Sequence, residues 1–289
     1  MEFRKALRRR LRKVTVGWVA VYTVMTALVL VTSLPLVYMA VTAFKPMEEL
    51  LRFPPRFFVK RPVLTNFTDL FSTLDGYTVP FTRYLFNSVF TTVTAVLLTL
   101  IICTMGAYAV EKVRMKGSRF FSGLIVYSLM FSAPAAQIPI YIVVARAGMM
   151  NTYWALIVPT LATPMYFFLI KQFISQLPEP LLESARLDGA NEFRILFSIV
   201  GPTIKPAIAT VAVFAFIANW NNTTGSAIYI TNQAMKTLPY AMSTISSGGL
   251  ARAGAAAAAS LLITLPTILV YLLMQSQVMK TMVHAGIKG

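Results

Sequence analysis

Six stretches of this chain contain no Asp, Glu, Lys or Arg at all: Val14–Phe44, Tyr84–Val110, Phe120–Ala145, Ala147–Ile170, Pro206–Met235 and Ala253–Met279. A helix needs about 20 residues to cross roughly 30 Å of hydrocarbon, and every stretch reaches that length. A buried helix of a water-soluble domain rarely runs so far without charge, and here six would have to. Composition agrees: 57% of the 289 residues are hydrophobic and 12% are charged, against about 25% charged in an ordinary soluble domain. Prolines inside the stretches (Pro35, Pro134, Pro139, Pro159, Pro164 and Pro266) are tolerated where neighbouring helices, hydroxyls or water satisfy the freed carbonyls. The small residues of "AGAAAAAS", Ala253–Ser260, allow backbones to approach closely. The expected fold class is an all-α membrane protein, a bundle of six transmembrane helices in one domain spanning 1–289.

The net charge of +16 suggests nucleic acid until its placement is read. Arg4, Lys5, Arg8, Arg9, Arg10, Arg12 and Lys13 precede the first apolar stretch, and Lys112, Arg114, Lys116 and Arg119 fill the short second loop. The third loop holds only Arg146, and the fifth only Lys236 and Arg252. Basic residues flanking spans mark the cytoplasmic side. The expectation is a cytoplasmic N-terminus, cytoplasmic second and fourth loops and a cytoplasmic C-terminus, with the basic groups meeting anionic lipid and no nucleic acid. The first loop also carries basic residues, but long loops are poor indicators of orientation. Residues 1–13 read as a cytoplasmic basic arm, 45–83 as an ordered extracytoplasmic loop, 171–205 as a cytoplasmic loop and 280–289 as a cytoplasmic tail. Cys103, the single cysteine, reads as a small apolar packing residue.

Catalytic chemistry is missing from the sequence. There is no G-x-x-x-x-G-K-[ST] loop to cradle phosphates. The single histidine, His284, has no cysteine or carboxylate near it in sequence, whereas a metal site takes about three or four ligands. The apolar stretches hold no carboxylate pair of the kind that proton-driven pumps use. The chain is not expected to be an enzyme or to bind a cofactor or metal itself. Uphill transport by such a chain would draw its energy from another protein.

One segment stands apart: "LPEPLLESARLDGANEF", Leu177–Phe193, is crowded with charges and turn formers between two apolar stretches. Pro178 and Pro180 suit a first helical turn, and Glu179 and Glu183 lie near its positive end. Leu181, Leu182 and Ala185 form a small apolar face. Gly189 is placed to end the helix with positive φ, and Asp188 to cap the next helix. The pattern predicts a short amphipathic helix, a tight turn and a second helix start. A helix of this kind suits docking in a partner's groove; a solvated interhelical loop fits the same residues.

Glu183-Ser184-Ala185, Asp188-Gly189-Ala190, Ile199, Pro202 and Pro206 resemble the "EAA…G" cytoplasmic loop of binding-protein-dependent ABC importer permeases, carbohydrate-uptake branch (MalG-like). The likeness extends to "TAFKP" (Thr42–Pro46), "YLFNS" (Tyr84–Ser88), "GAYAV" (Gly106–Val110), "NTYWALIVP" (Asn151–Pro159) and "HAGIKG" (His284–Gly289). The resemblance implies the type I ABC importer permease fold, with the EAA segment as a coupling helix seated in a separate ATP-hydrolysing subunit. It assigns ATPase coupling to Leu181, Leu182, Glu183, Ser184, Ala185, Asp188, Gly189 and Ala190, and an ATPase-interface tail to Lys288 and Gly289. Its implied partners are a second homologous permease subunit (MalF-like), two copies of an ABC ATPase subunit that carry ATP and Mg, and an extracytoplasmic solute-binding protein. This sequence departs from the family pattern at Ser184, at Gly201 before Pro202 and at "WNNTTG", Trp220–Gly225.

The resemblance also implies a sugar or oligosaccharide as solute; an amino acid, peptide or phosphate ester is the alternative within the superfamily. Sugar pathways combine aromatic faces with amides and hydroxyls. Candidate pathway residues are Ser132, Gln137 and Tyr141, with Asn219, Trp220 and Asn221. Each also fits a plainer role, as an interfacial aromatic or an interhelical hydrogen bond.

Overall fold

Residues 16–75, 79–113, 115–246 and 252–286 are described by a computed structural model of the chain, and among them every regular element is helical. Helix α1 covers Val16–Ala43, and α2 covers Thr65–Asp75. Helix α3 covers Phe81–Tyr108 and continues into a π turn at Ala109–Val113. Helices α4 (Ser118–Ser128), α5 (Ala133–Arg146), α6 (Tyr153–Leu161) and α7 (Pro164–Ser175) follow. The isolated helix α8 is Glu179–Leu187. Helix α9 starts at Glu192–Ile195, passes through a π turn at Leu196–Val200 and ends at Thr203. Helices α10 (Lys205–Trp220), α11 (Thr223–Tyr229), α12 (Leu238–Ser246) and α13 (Ala253–Gly286) complete the chain.

Among the described residues, three of the six uncharged stretches yield single helices long enough to cross a membrane: Gly17–Ala43, Phe81–Val113 and Ala253–Met279. Two bent pairs are together long and apolar enough to bring the number to five if each is one span. Helices α6 and α7 meet at 45°, and α9 and α10 at 81°. Proline accounts for the first break. Pro164 opens α7, and the ring of a proline excludes its predecessor from the helical region; Thr163 accordingly sits at φ −79°, ψ 107°. Phe120–Ala145, expected as one span, is also divided, between Ser128 and Ala133. Ser132 is extended at φ −73°, ψ 141°, and Pro134 falls in the first turn of α5. The fifth stretch is also displaced from its expected form. Its helix ends at Trp220, and the residues up to Met235 form the short helix α11 and a 3-10 turn.

The chain forms two compact units, residues up to Leu70 with the segment ending at Leu261, and Phe71 to Ser247 with Leu262 onward. In the first, α1 turns its side chains outward along nearly its whole length. The turn after it explains "TAFKP". Lys45 is buried, donates its ammonium to the Arg56 carbonyl and lies 4.8 Å from the centre of the Tyr38 ring. Asn66 Nδ2 donates to the carbonyls of Ala43 at 2.9 Å and Lys45 at 2.8 Å, satisfying the end of α1. A Cβ on Gly254 would stand 2.1 Å from Asn66 Oδ1, so only glycine fits there.

In the second unit, α3, α7, α8, α9 and α10 share one apolar core built from Cys103, Tyr108, Ile170, Leu182, Ile195 and Val211 among others. Cys103 is buried in it, as a packing residue would be. Lipid is as apolar as these side chains, so within the spans the core is held by close packing rather than by removal from water. Helix α8 belongs to none of the crossings, yet Leu182 and Ala185 join it to this core.

Candidate functional site

Helix α8 begins after Pro178, with Pro180 in its first turn. Gly189 ends it at φ 81°, a left-handed conformation in which a Cβ is strained. The apolar face differs from the expected one. Leu182 and Ala185 are buried in the core of their own chain, whereas Leu181 is 42% and Leu187 89% exposed. The outward stripe is therefore Leu181, Ser184 and Leu187, followed by the exposed Asp188, with Glu183 beside it. Ala190 is half-buried against the core. Asp188 closes α8 and does not cap α9. Asn191 takes that role, its Oδ1 accepting from Arg194 N at 2.8 Å.

Both ends of α8 are tied to the foot of α3. Lys112 is buried and donates through Nζ to the Leu177 carbonyl at 2.7 Å, with Glu179 Oε1 3.4 Å away. At the other end, Arg186 Nε donates to Glu192 Oε1 at 2.9 Å, and the Tyr108 hydroxyl donates to Glu192 Oε2 at 2.5 Å. The Glu192 carboxylate raises the pKa of the Arg186 guanidinium further above its already high value, so it is charged at any working pH. Lys171 Nζ lies 3.4 Å from Glu111 Oε2, joining α7 to the same π turn. These contacts put the second and fourth loops at one end of the unit.

The opposite end is held by residues whose motifs stand out in the sequence but whose role there does not. Asn87 is fully buried; its Nδ2 donates to the carbonyls of Ala234 at 2.9 Å and Lys236 at 2.8 Å. Tyr153 donates to Asn87 Oδ1 at 2.7 Å, and Ser88 Oγ accepts from Leu238 N at 2.7 Å. Asn151 takes φ 59°, which asparagine tolerates, and its Oδ1 accepts from Thr231 N and Asn232 N. "YLFNS" and "NTYW" thus shape the loop after α11. The amides Asn87 and Asn151, each inside an uncharged stretch, were the available signal.

A cavity of about 300 Å³ opens between α5, α6, α7, α10 and α11. Gln137, Thr160, Thr163, Asn219, Asn222 and Tyr229 supply its polar lining, and none of its lining residues is charged at neutral pH. Of the six predicted pathway residues it brings together Gln137 and Asn219. Tyr141 is not in the lining but stacks at 6.4 Å on Tyr229, which is. Trp220 is buried, stacks on Phe216 and donates Nε1 to the Ile263 carbonyl at 3.0 Å, outside the lining. Asn221 is exposed and bonds back to Ile217, and Ser132 is exposed before α5; neither lines the cavity. Lys288 and Gly289 lie outside the described residues.

A family model described as "Binding-protein-dependent transport system inner membrane component" matches residues 3–282. Protein LplC of Bacillus subtilis is 31% identical over 273 residues, covering 90% of this chain and 90% of LplC. The arabinooligosaccharides transport system permease protein AraQ of Halalkalibacterium halodurans is 26% identical over 261 residues, 88% of this chain and 91% of AraQ. The crystal structure of a bacterial ABC transporter involved in the import of the acidic polysaccharide alginate has the same fold. Its chain matches at a TM-score of 0.76 and 21% identity, covering 90% of this chain and 96% of that one. The architecture is thus that of the type I ABC importer permeases, and by family these multi-pass plasma-membrane proteins are transport permeases rather than enzymes and carry no cofactor of their own. This chain belongs to the family of binding-protein-dependent transport system inner membrane components.

Proposed function

We propose that this chain forms half of the translocation pathway of an ATP-driven importer for a sugar or oligosaccharide. The whole chain works as one transmembrane domain beside a second, homologous permease subunit. Two copies of an ABC ATPase bind ATP and Mg, and an extracytoplasmic binding protein delivers the solute. The observation that carries this reading is α8. One face is buried and the other offers Leu181, Ser184 and Leu187 to a partner. A short helix with exposed apolar anchors at a helical spacing fits a groove in another protein. The basic residues before α1 and between α3 and α4 favour a cytoplasmic location for both termini and for α8.

ATP binding draws the ATPases together and moves α8, and the spans swing the pathway from inward to outward facing. The solute enters from the binding protein, and hydrolysis resets the bundle. The sugar assignment is supported by the arabinooligosaccharide relative and by the uncharged amide and hydroxyl lining of the cavity. That lining favours a neutral glycan over an acidic one, because a carboxylate there would meet no cation. The test is uptake by the complete transporter in proteoliposomes, with neutral and uronate oligosaccharides as competitors. Neutral competitors alone should block uptake, and Gln137→Ala and Asn219→Ala should each weaken it. Uptake indifferent to both sugars would contradict the reading.

A further inference from the structure

Tyr108 and Lys112 stand one turn apart at the foot of α3, and they reach opposite ends of α8. Lys112 holds the carbonyl of Leu177 at 2.7 Å and faces Glu179, the first residue of the helix. Tyr108 donates to Glu192, which also accepts from Arg186 in the last turn of α8. Between these two polar contacts, Leu182 and Ala185 pack into the core that contains Tyr108 itself. Lys112 is almost wholly buried, so its ammonium depends on those oxygens for solvation and fixes them in return.

We propose that Tyr108 and Lys112 are positioning residues that clamp α8 to α3, so that any displacement of α8 is passed to α3 without slack. The inference rests on the reading of α8 as the ATPase-docking helix. A helix held by apolar packing alone can slide or roll, because such packing has little directional preference. Two directional, charge-assisted bonds about one helical turn apart on α3 remove that freedom. The π turn at Ala109–Val113 lies in this contact, carrying Lys112 to Leu177 and Glu111 to Lys171. Short π segments inside helices often occur where function needs a local re-aiming of side chains.

The test places spin labels at Leu187→Cys on α8 and Val89→Cys on α3 in a Cys103→Ala background of the complete transporter. Distances are measured without nucleotide and with ATP and vanadate. The clamp predicts one narrow distance distribution that is the same in both states. Tyr108→Phe and Lys112→Met should each add a second population, raising its share about tenfold, the ratio that one charge-assisted hydrogen bond supports. Lys112→Arg should restore the single population. Within the labelled background, Tyr108→Phe, Lys112→Met and Lys112→Arg should leave ATPase co-purification and basal hydrolysis at the level of the labelled parent. A single narrow distribution in Tyr108→Phe and Lys112→Met, or a wild-type distance that shifts with nucleotide, would overturn the clamp. Failure of the wild-type chain to hold an ATPase counts against the docking reading instead, and the nucleotide-free distributions still decide for or against the clamp.

Discussion

At Gly189 the backbone and the surroundings make separate demands. Its φ of 81° favours glycine, yet a Cβ there would meet nothing within 4 Å. The penalty for a side chain is therefore conformational, about 1 kcal/mol for an ordinary residue and less for asparagine. Gly189→Asn should keep the turn and retain the ATPase on purification, whereas the β-branched Gly189→Val should strain the turn and weaken that retention. Gly189→Asp should leave the chain folded in the membrane but separate hydrolysis from uptake, read as solute-stimulated ATPase activity against transport. Asn87 makes the opposite case, a residue with no spare space and no spare bond. Replacing it by leucine strands the Lys236 carbonyl and leaves the Tyr153 hydroxyl without its acceptor, while Arg83 still donates to the Ala234 carbonyl at 3.2 Å, a cost of about 2–4 kcal/mol. Tyr153→Phe removes one donor and should cost about 1 kcal/mol. Thermal denaturation in detergent should rank Asn87→Leu well below Tyr153→Phe.

Helix α9 shows how local chemistry sets an element boundary. Asp188 and Asn191 are both suitable caps, and the sequence alone does not choose between them. The structure chooses Asn191, because Gly189 and Ala190 are needed to complete the turn before α9 starts. Asn191→Ala should cost about 1 kcal/mol and speed amide exchange at Arg194, while Asp188→Ala should leave α9 unchanged. The ion pair between Arg186 and Glu192 is part-exposed on both sides, so its direct contribution to stability is only about 0.5 kcal/mol. Its role is to set direction. The start of α8 at Pro178, its positive-φ end and the long crossings α1, α3 and α13 were legible as proline, glycine and uncharged length. The breaks near Ser132 and after Trp220 were not, since hydropathy is blind to where a backbone bends. Leu181 and Leu182 were indistinguishable by type, and only the position of the core separates the buried one from the exposed one.

Across the whole molecule, the polar contacts within the second unit gather at two ends. The pairs Lys112–Glu179 and Arg186–Glu192 lie at one, and Asn87, Asn151 and Tyr153 organise the loop after α11 at the other. In the proposed topology, read from the basic residues of the loops, the first end faces the cytoplasm. Which residues meet across the cavity was legible only in part. Gln137 and Asn219 line it, but Trp220, an obvious sugar-stacking candidate by type, instead fastens α10 to α13. Composition cannot distinguish a tryptophan that faces a pathway from one that closes a helix contact.

In the proposed transporter the exposed stripe of α8 faces the cytoplasm and is covered there by an ATPase. Labelling of Leu187→Cys with a membrane-impermeant maleimide tests it most directly. Intact cells should show no labelling, inside-out vesicles stripped of the ATPase should label fully, and adding the ATPase back should protect the site. Labelling from outside intact cells, or no protection by the ATPase, would contradict the account.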